Sequence, residues 1–112
     1  MSFVLDNSVV MRWLLGADKP EHHIYAQSVL KVMPFQRAFV PSLWALEAAS
    51  VMLKAEKKNK ISSSDITIFI DALGQYDIVV DEHTATYALN RTLQLARQYQ
   101  LSSYDASYLE LA

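Results

Sequence analysis

Cysteine is absent from the 112 residues. Disulfides, thiolate metal sites and cysteine nucleophiles are therefore excluded, and a cytoplasmic setting is the default expectation. Two glycines and three prolines are too few for an all-β fold with many tight turns. No apolar run approaches the roughly 20 residues that a membrane span needs. The N-terminus lacks the basic stretch and apolar core of a secretory signal. Strong charge of either sign is missing too: ten basic and twelve acidic residues leave a formal net charge of −2. That is not the markedly basic profile of a nucleic-acid binder. There is no Gly-x-Ser-x-Gly elbow, no glycine-rich phosphate loop and no histidine beside an apparent nucleophile. His22 and His23 are adjacent, so their side chains diverge and chelate one ion poorly; with His83 they read as surface groups.

What the chain has is a 52% hydrophobic composition in short apolar runs separated by helical patterns. The length suits one domain over residues 1–112 with one core. Residues 3–5, 38–40 and 78–80 read as short strands without polar alternation, as in a parallel sheet buried on both faces. Helices are expected over 9–15, from Pro20 to about Met33, over 42–57, after the Ser62–Asp65 cap, over 84–99 and from Asp105 onward. Ile66, Phe69, Ile70 and Leu73 form the inward face of the fourth. Ala85, Leu89, Thr92, Ala96 and Tyr99 form that of the fifth. Strands alternating with helices imply right-handed crossovers and an α/β fold. Sites in such folds lie beyond the carboxyl ends of the strands.

Three acids stand out in apolar or helix-starting surroundings: Asp6 after Phe3-Val4-Leu5, Glu47 after Leu43-Trp44-Ala45-Leu46, and Asp105 in Tyr104-Asp105-Ala106. Carboxylates in such company are costly unless paired, hydrogen-bonded or bound to a cation. Ordinary readings exist for each. Asp6 can cap a helix, Ser102 with Asp105 can form a capping box, and Glu47 can be a surface residue. Arg12, one to two turns past Asp6, could reach a phosphate near the site. Lys54, Lys57, Lys58 and Lys60 form a basic cluster for which a solvated helix end is the better reading and an RNA groove the alternative. Trp13, Trp44, Tyr104 and Tyr108 could stack on bases, although core or interface packing is the better reading for both tryptophans.

The segments Leu5-Asp6-Asn7-Ser8-Val9, Pro41 through Glu47, and Tyr104-Asp105-Ala106 with Tyr108 and Leu111-Ala112 resemble the PIN domain, in particular VapC-type ribonuclease toxins of toxin–antitoxin pairs. The likeness holds in order and spacing across essentially the whole chain. It implies a doubly wound parallel sheet with helices on both faces and an acidic pocket for magnesium or manganese. By position, Asp6, Glu47 and Asp105 match family acids that bind metal and act in catalysis, and Ser8 matches a supporting polar residue. It further implies an RNA substrate, a homodimer, and an antitoxin segment that fills the pocket with a basic side chain. Ser50 stands where the family usually has asparagine. PIN domains also continue into a further strand with a fourth acid, then a last helix and strand. No counterpart follows Ala112, so the expected fold lacks that last strand and fourth-acid segment, and the first strand would be an edge. Three functions follow: a metal-dependent endoribonuclease toxin, a catalytically inactive shortened PIN module that binds antitoxin or dimerises, and a plain α/β interaction domain.

Overall fold

The computed structural model describes residues 2–112. Strand β1 (Ser2–Val4) leads through α1 (Asn7–Leu15) and α2 (Pro20–Val32) to β2 (Arg37–Pro41). Helices α3 (Trp44–Lys57) and α4 (Ser63–Leu73) then lead to β3 (Ile78–Asp81). The chain continues as α5 (Thr84–Tyr87), a π turn (Ala88–Thr92), α6 (Leu93–Tyr99) and α7 (Ser103–Leu111). The strands form one parallel sheet in the order β1-β2-β3. Ser2 pairs with Arg37 and Val4 with Phe39; Ala38 pairs with Ile78 and Pro41 with Asp81. The α/β expectation holds, and each expected strand is present. The first begins one residue early, and Leu5 still donates its amide to Phe39 O at 2.9 Å. Because the strands are parallel, Asp6, the β2–α3 turn and Asp81 lie at the same end of the sheet.

Burial accounts for this arrangement. Leu5, Val10, Ala38 and Val40 are almost fully enclosed, and Met33, Ala48 and Met52 close over them. Trp13 packs half-buried against this core and donates its indole N–H to Ala26 O at 2.8 Å. That ties α1 to α2 and satisfies a polar atom in an apolar setting.

Helix α4 is held less tightly. Ile66, Phe69 and Leu73 lean on the core, but no residue of this helix is fully buried. Ile70, expected to face inward, is 50% exposed. It lines an apolar groove of about 450 Å³ between α3 and α4, with Trp44, Ala45, Ala49, Leu73 and Tyr76 among its walls.

A second departure lies in residues 84–99, where one unbroken helix was expected. A π turn carries an extra residue, so the inward positions before it move back by one. Thr84 and Ala88 take the places expected for Ala85 and Leu89, in line with Thr92 and Ala96. Thr84 and Thr92 are buried, whereas Leu89 is 86% exposed. Tyr99 is also outside, because the helix stops beside it: Gln100 turns left-handed with φ 55.

Helix α7 packs against α6, the π turn and β2. Ala106 and Ser107 point into that contact. This packing brings the last expected acid toward the strand ends.

Candidate functional site

Asp6 follows the buried Leu5 and is the N-cap of α1, with extended backbone. Its carboxylate accepts the Ser8 amide at 3.3 Å and the Ser8 hydroxyl at 2.8 Å. The capping reading of Asp6 is therefore met. Ser8 holds the carboxylate in one orientation, while the aspartate stays exposed. Asn7 turns inward and is 6% exposed, and its Oδ1 is buried with no hydrogen-bond partner.

Glu47 lies in the first turn of α3, where a negative charge complements the helix dipole. The residue is half-buried, and its Oε1 is enclosed without a partner. Glu47 and Asn7 line a cleft of about 400 Å³ with Leu43, Ser50, Val51 and Tyr104. Two buried acceptor oxygens on one cleft without hydrogen bonds of regular geometry can be satisfied by a cation, by a donor from another molecule, or for Glu47 by the neighbouring Tyr108 hydroxyl.

Asp105 sits at the third position of α7. Its amide donates to Ser102 Oγ at 3.0 Å. The expected capping box is only half formed, since no bond returns from the Asp105 carboxylate. The complete box is at α4, where Asp65 N–H donates to Ser62 Oγ and Ser62 N–H to Asp65 Oδ2, at 3.1 and 3.0 Å. The Ser62 amide, and after it the Ser62 hydroxyl, hold the Asp65 carboxyl below its ordinary pKa. The Asp105 carboxylate is thus left exposed and uncommitted.

The electrostatics show that the three acids share one neighbourhood. Burial raises the Glu47 carboxyl above its ordinary value of 4.5, and the charges of Asp6 and Asp105 push it further; the nearby Tyr108 hydroxyl acts in the opposite direction. Burial also raises Tyr108 well above the usual tyrosine range, with the charges of Glu47 and Asp6 adding to the effect. The Tyr108 hydroxyl is enclosed and makes no hydrogen bond of regular geometry, so it remains a protonated donor beside Glu47. Among the described residues the one ion pair is Arg37–Asp77 at 2.9 Å, and no basic side chain pairs with the three acids.

The donor set suits a hard divalent cation, with carboxylate and amide oxygens unpaired at one cleft. Among the described residues, however, no three Asp, Glu or His side chains are drawn close enough to ligate one ion together. Fewer direct ligands completed by water suit magnesium, which keeps much of its hydration.

Of the three acids only Glu47 lines this acidic cleft, and Asp6, Asp105 and Arg12 do not; Arg12 is half-buried on the last turn of α1. Trp44 walls the larger apolar groove instead. That groove has more volume, but the acidic cleft has the chemistry, since no carboxylate or basic side chain lines the groove. Sequence reasoning passed over Asn7 as a cleft residue and treated Tyr108 only as a stacking group. The available signal was position: Asn7 adjoins Asp6, and Tyr108 is one helical turn beyond Asp105.

A scan against protein-family models finds no match for this chain, and a search of the curated proteins finds no significant relative.

Proposed function

We propose that this chain is a PIN-like, metal-dependent endoribonuclease of the VapC toxin type, working in the cytoplasm on RNA. The observation that carries the reading is the half-buried Glu47, whose Oε1 is enclosed without a partner near Asp6 and Asp105, while no basic side chain among the described residues pairs with the three acids. Mutually repelling acids at a sheet's carboxyl end are costly without a ligand that repays them.

Asp6 and Asp105 would hold magnesium or manganese, with Glu47 binding directly or through water. The ion would neutralise the cleft for an approaching phosphodiester and lower the pKa of a bound water. Ser8 fixes the Asp6 carboxylate. Tyr108, kept protonated beside Glu47, would donate to it. Glu47, its carboxyl raised by burial and by the neighbouring acids, would suit the group that takes a proton from the attacking water. An antitoxin segment with a basic side chain would fit the same cleft, and a homodimer would cover exposed apolar surface.

A second reading is an inactive PIN-like module that binds antitoxin or dimerises. The separation of the acids, too wide for three of them to ligate one ion together, favours it. RNA cleavage separates the two readings. With magnesium or manganese the chain is expected to cut RNA, and a chelator or Asp6→Asn to abolish the cutting. A folded chain that leaves RNA intact with either ion removes the nuclease reading.

A further inference from the structure

Four of the ten basic residues crowd into residues 54–60, and a helix-dipole role does not explain how they are arranged. Glu47, Ser50, Val51, Lys54, Ala55 and Lys58 recur on one stripe of α3, at helical spacing. The acidic cleft takes Glu47, Ser50 and Val51 from that stripe. A second cleft, of about 330 Å³, takes Val51, Lys54, Ala55 and Lys58, with Leu14 and Gly16 from the far end of α1. Val51 lines both, so the two clefts adjoin along the α1–α3 groove.

Lys60 lies beyond α3, yet it lines this second cleft as well. The helix end explains why. Asn59 is left-handed with φ 58; its amide donates to Glu56 O, and the Lys60 amide donates back to Ala55 O, both at 2.9 Å. This is a Schellman closure, which reverses the chain and returns Lys60 toward the helix. Lys57, on another face of α3, lines neither cleft. One carboxylate, Asp18, faces the same space and offsets part of the charge, leaving a net positive cleft with an apolar floor.

We infer that Lys54, Lys58 and Lys60 form a backbone-phosphate subsite for single-stranded RNA that reaches the acidic cleft along α3. The inference rests on the nuclease reading for the identity of the strand. At the α-helical rise, Lys54 lies about 10 Å and Lys58 about 16 Å along the axis from Glu47, a span that an extended strand covers in a few nucleotides. The lysines would hold phosphates and the apolar floor the base or ribose, giving binding with little sequence preference.

The test is binding of short fluorescent oligoribonucleotides in chelator, so that nothing is cut, over a range of salt. A variant with Lys54→Ala, Lys58→Ala and Lys60→Ala is compared with Lys57→Ala, after circular dichroism shows that both are folded. The triple variant is expected to bind roughly tenfold more weakly, with a salt slope shallower by about 2, since each single-strand phosphate contact contributes about 0.7. Lys57→Ala should bind as the parent does, and a dinucleotide should not distinguish the proteins. Unchanged binding by the triple variant, equal loss from Lys57→Ala, or no RNA binding by the parent overturns the subsite. Cleavage by the parent together with unchanged binding by the triple variant would remove the subsite alone. Lysine-dependent binding without cleavage in metal would remove the nuclease reading alone.

Discussion

At the residue scale, Glu47 links stability to pH. Its carboxyl is raised in the folded protein, so the folded state holds the proton more tightly than the unfolded chain. Stability tied to this group is complete below about 4.5 and falls as pH rises through the folded value. Glu47→Gln removes the cost of burying a charge and the repulsion from Asp6 and Asp105, and keeps the shape. The melting temperatures of parent and variant should therefore coincide in acid, with the variant melting higher near neutral pH. A variant that melts lower at neutral pH, without metal, would show that the Glu47 charge is compensated. Glu47→Gln should at the same time reduce RNA cleavage, because its amide cannot accept the water's proton. Stability gained with activity lost is the pattern of a functional acid; loss of both would mark a structural one.

At the element scale, α7 matters because it carries both Asp105 and Tyr108. Its start rests on the Ser102 Oγ bond to the Asp105 amide. Ser102→Ala should cost about 1 kcal/mol, the usual loss for an N-cap. It should also speed amide exchange over Ser103–Ser107 before any other element loosens; unchanged exchange there would rule out the cap's role in placing Asp105. The π turn supports a sharper expectation. It amounts to one extra residue in an otherwise regular helix, and Leu89 projects into solvent from it. Deleting Leu89 should give a continuous helix that keeps Thr92 and Ala96 inward, with cooperative unfolding retained. Deleting Gln94 from the regular α6 should instead turn the buried stripe outward and abolish cooperative melting. If both deletions behave alike in thermal unfolding, the register account is wrong.

At the scale of the whole molecule, a ligand that binds only the folded state stabilises all of it. Manganese or magnesium at about 100 times its Kd should add about 2.7 kcal/mol, read as a rise in calorimetric melting temperature. The rise should vanish in Asp6→Asn and shrink in acid, as the carboxylates take up protons. An equal rise in parent and variant would place the ion elsewhere. The three-stranded sheet sets the limits of this coupling. Both β1 and β3 are edges of it, and the acids follow β1 or sit on helices packed at the strand ends. An ion joining Asp6 to Asp105 would connect the first strand's end to α7, tying together elements distant in sequence.

Apolar runs without alternation mark the three strands in sequence, because each must be buried in a parallel sheet whatever surrounds it. The Ser62–Asp65 cap is equally legible, since both partners lie within one turn. The three acids stand out because a carboxylate among apolar residues is expensive if it is buried with them. The structure alone decided that Glu47 is half-buried while Asp6 and Asp105 stay exposed, that Asn7 rather than Arg12 shares its cleft, and that Lys60 returns to join Lys54 and Lys58. The π turn was hidden for the same reason that Ile70 was misplaced. Helical periodicity shows that a face is apolar, but neighbouring elements determine which residue meets the core and where the helix shifts register. Local sequence preferences act within a turn or two. Burial, pKa shifts and shared clefts arise between segments tens of residues apart, once the sheet has brought them together.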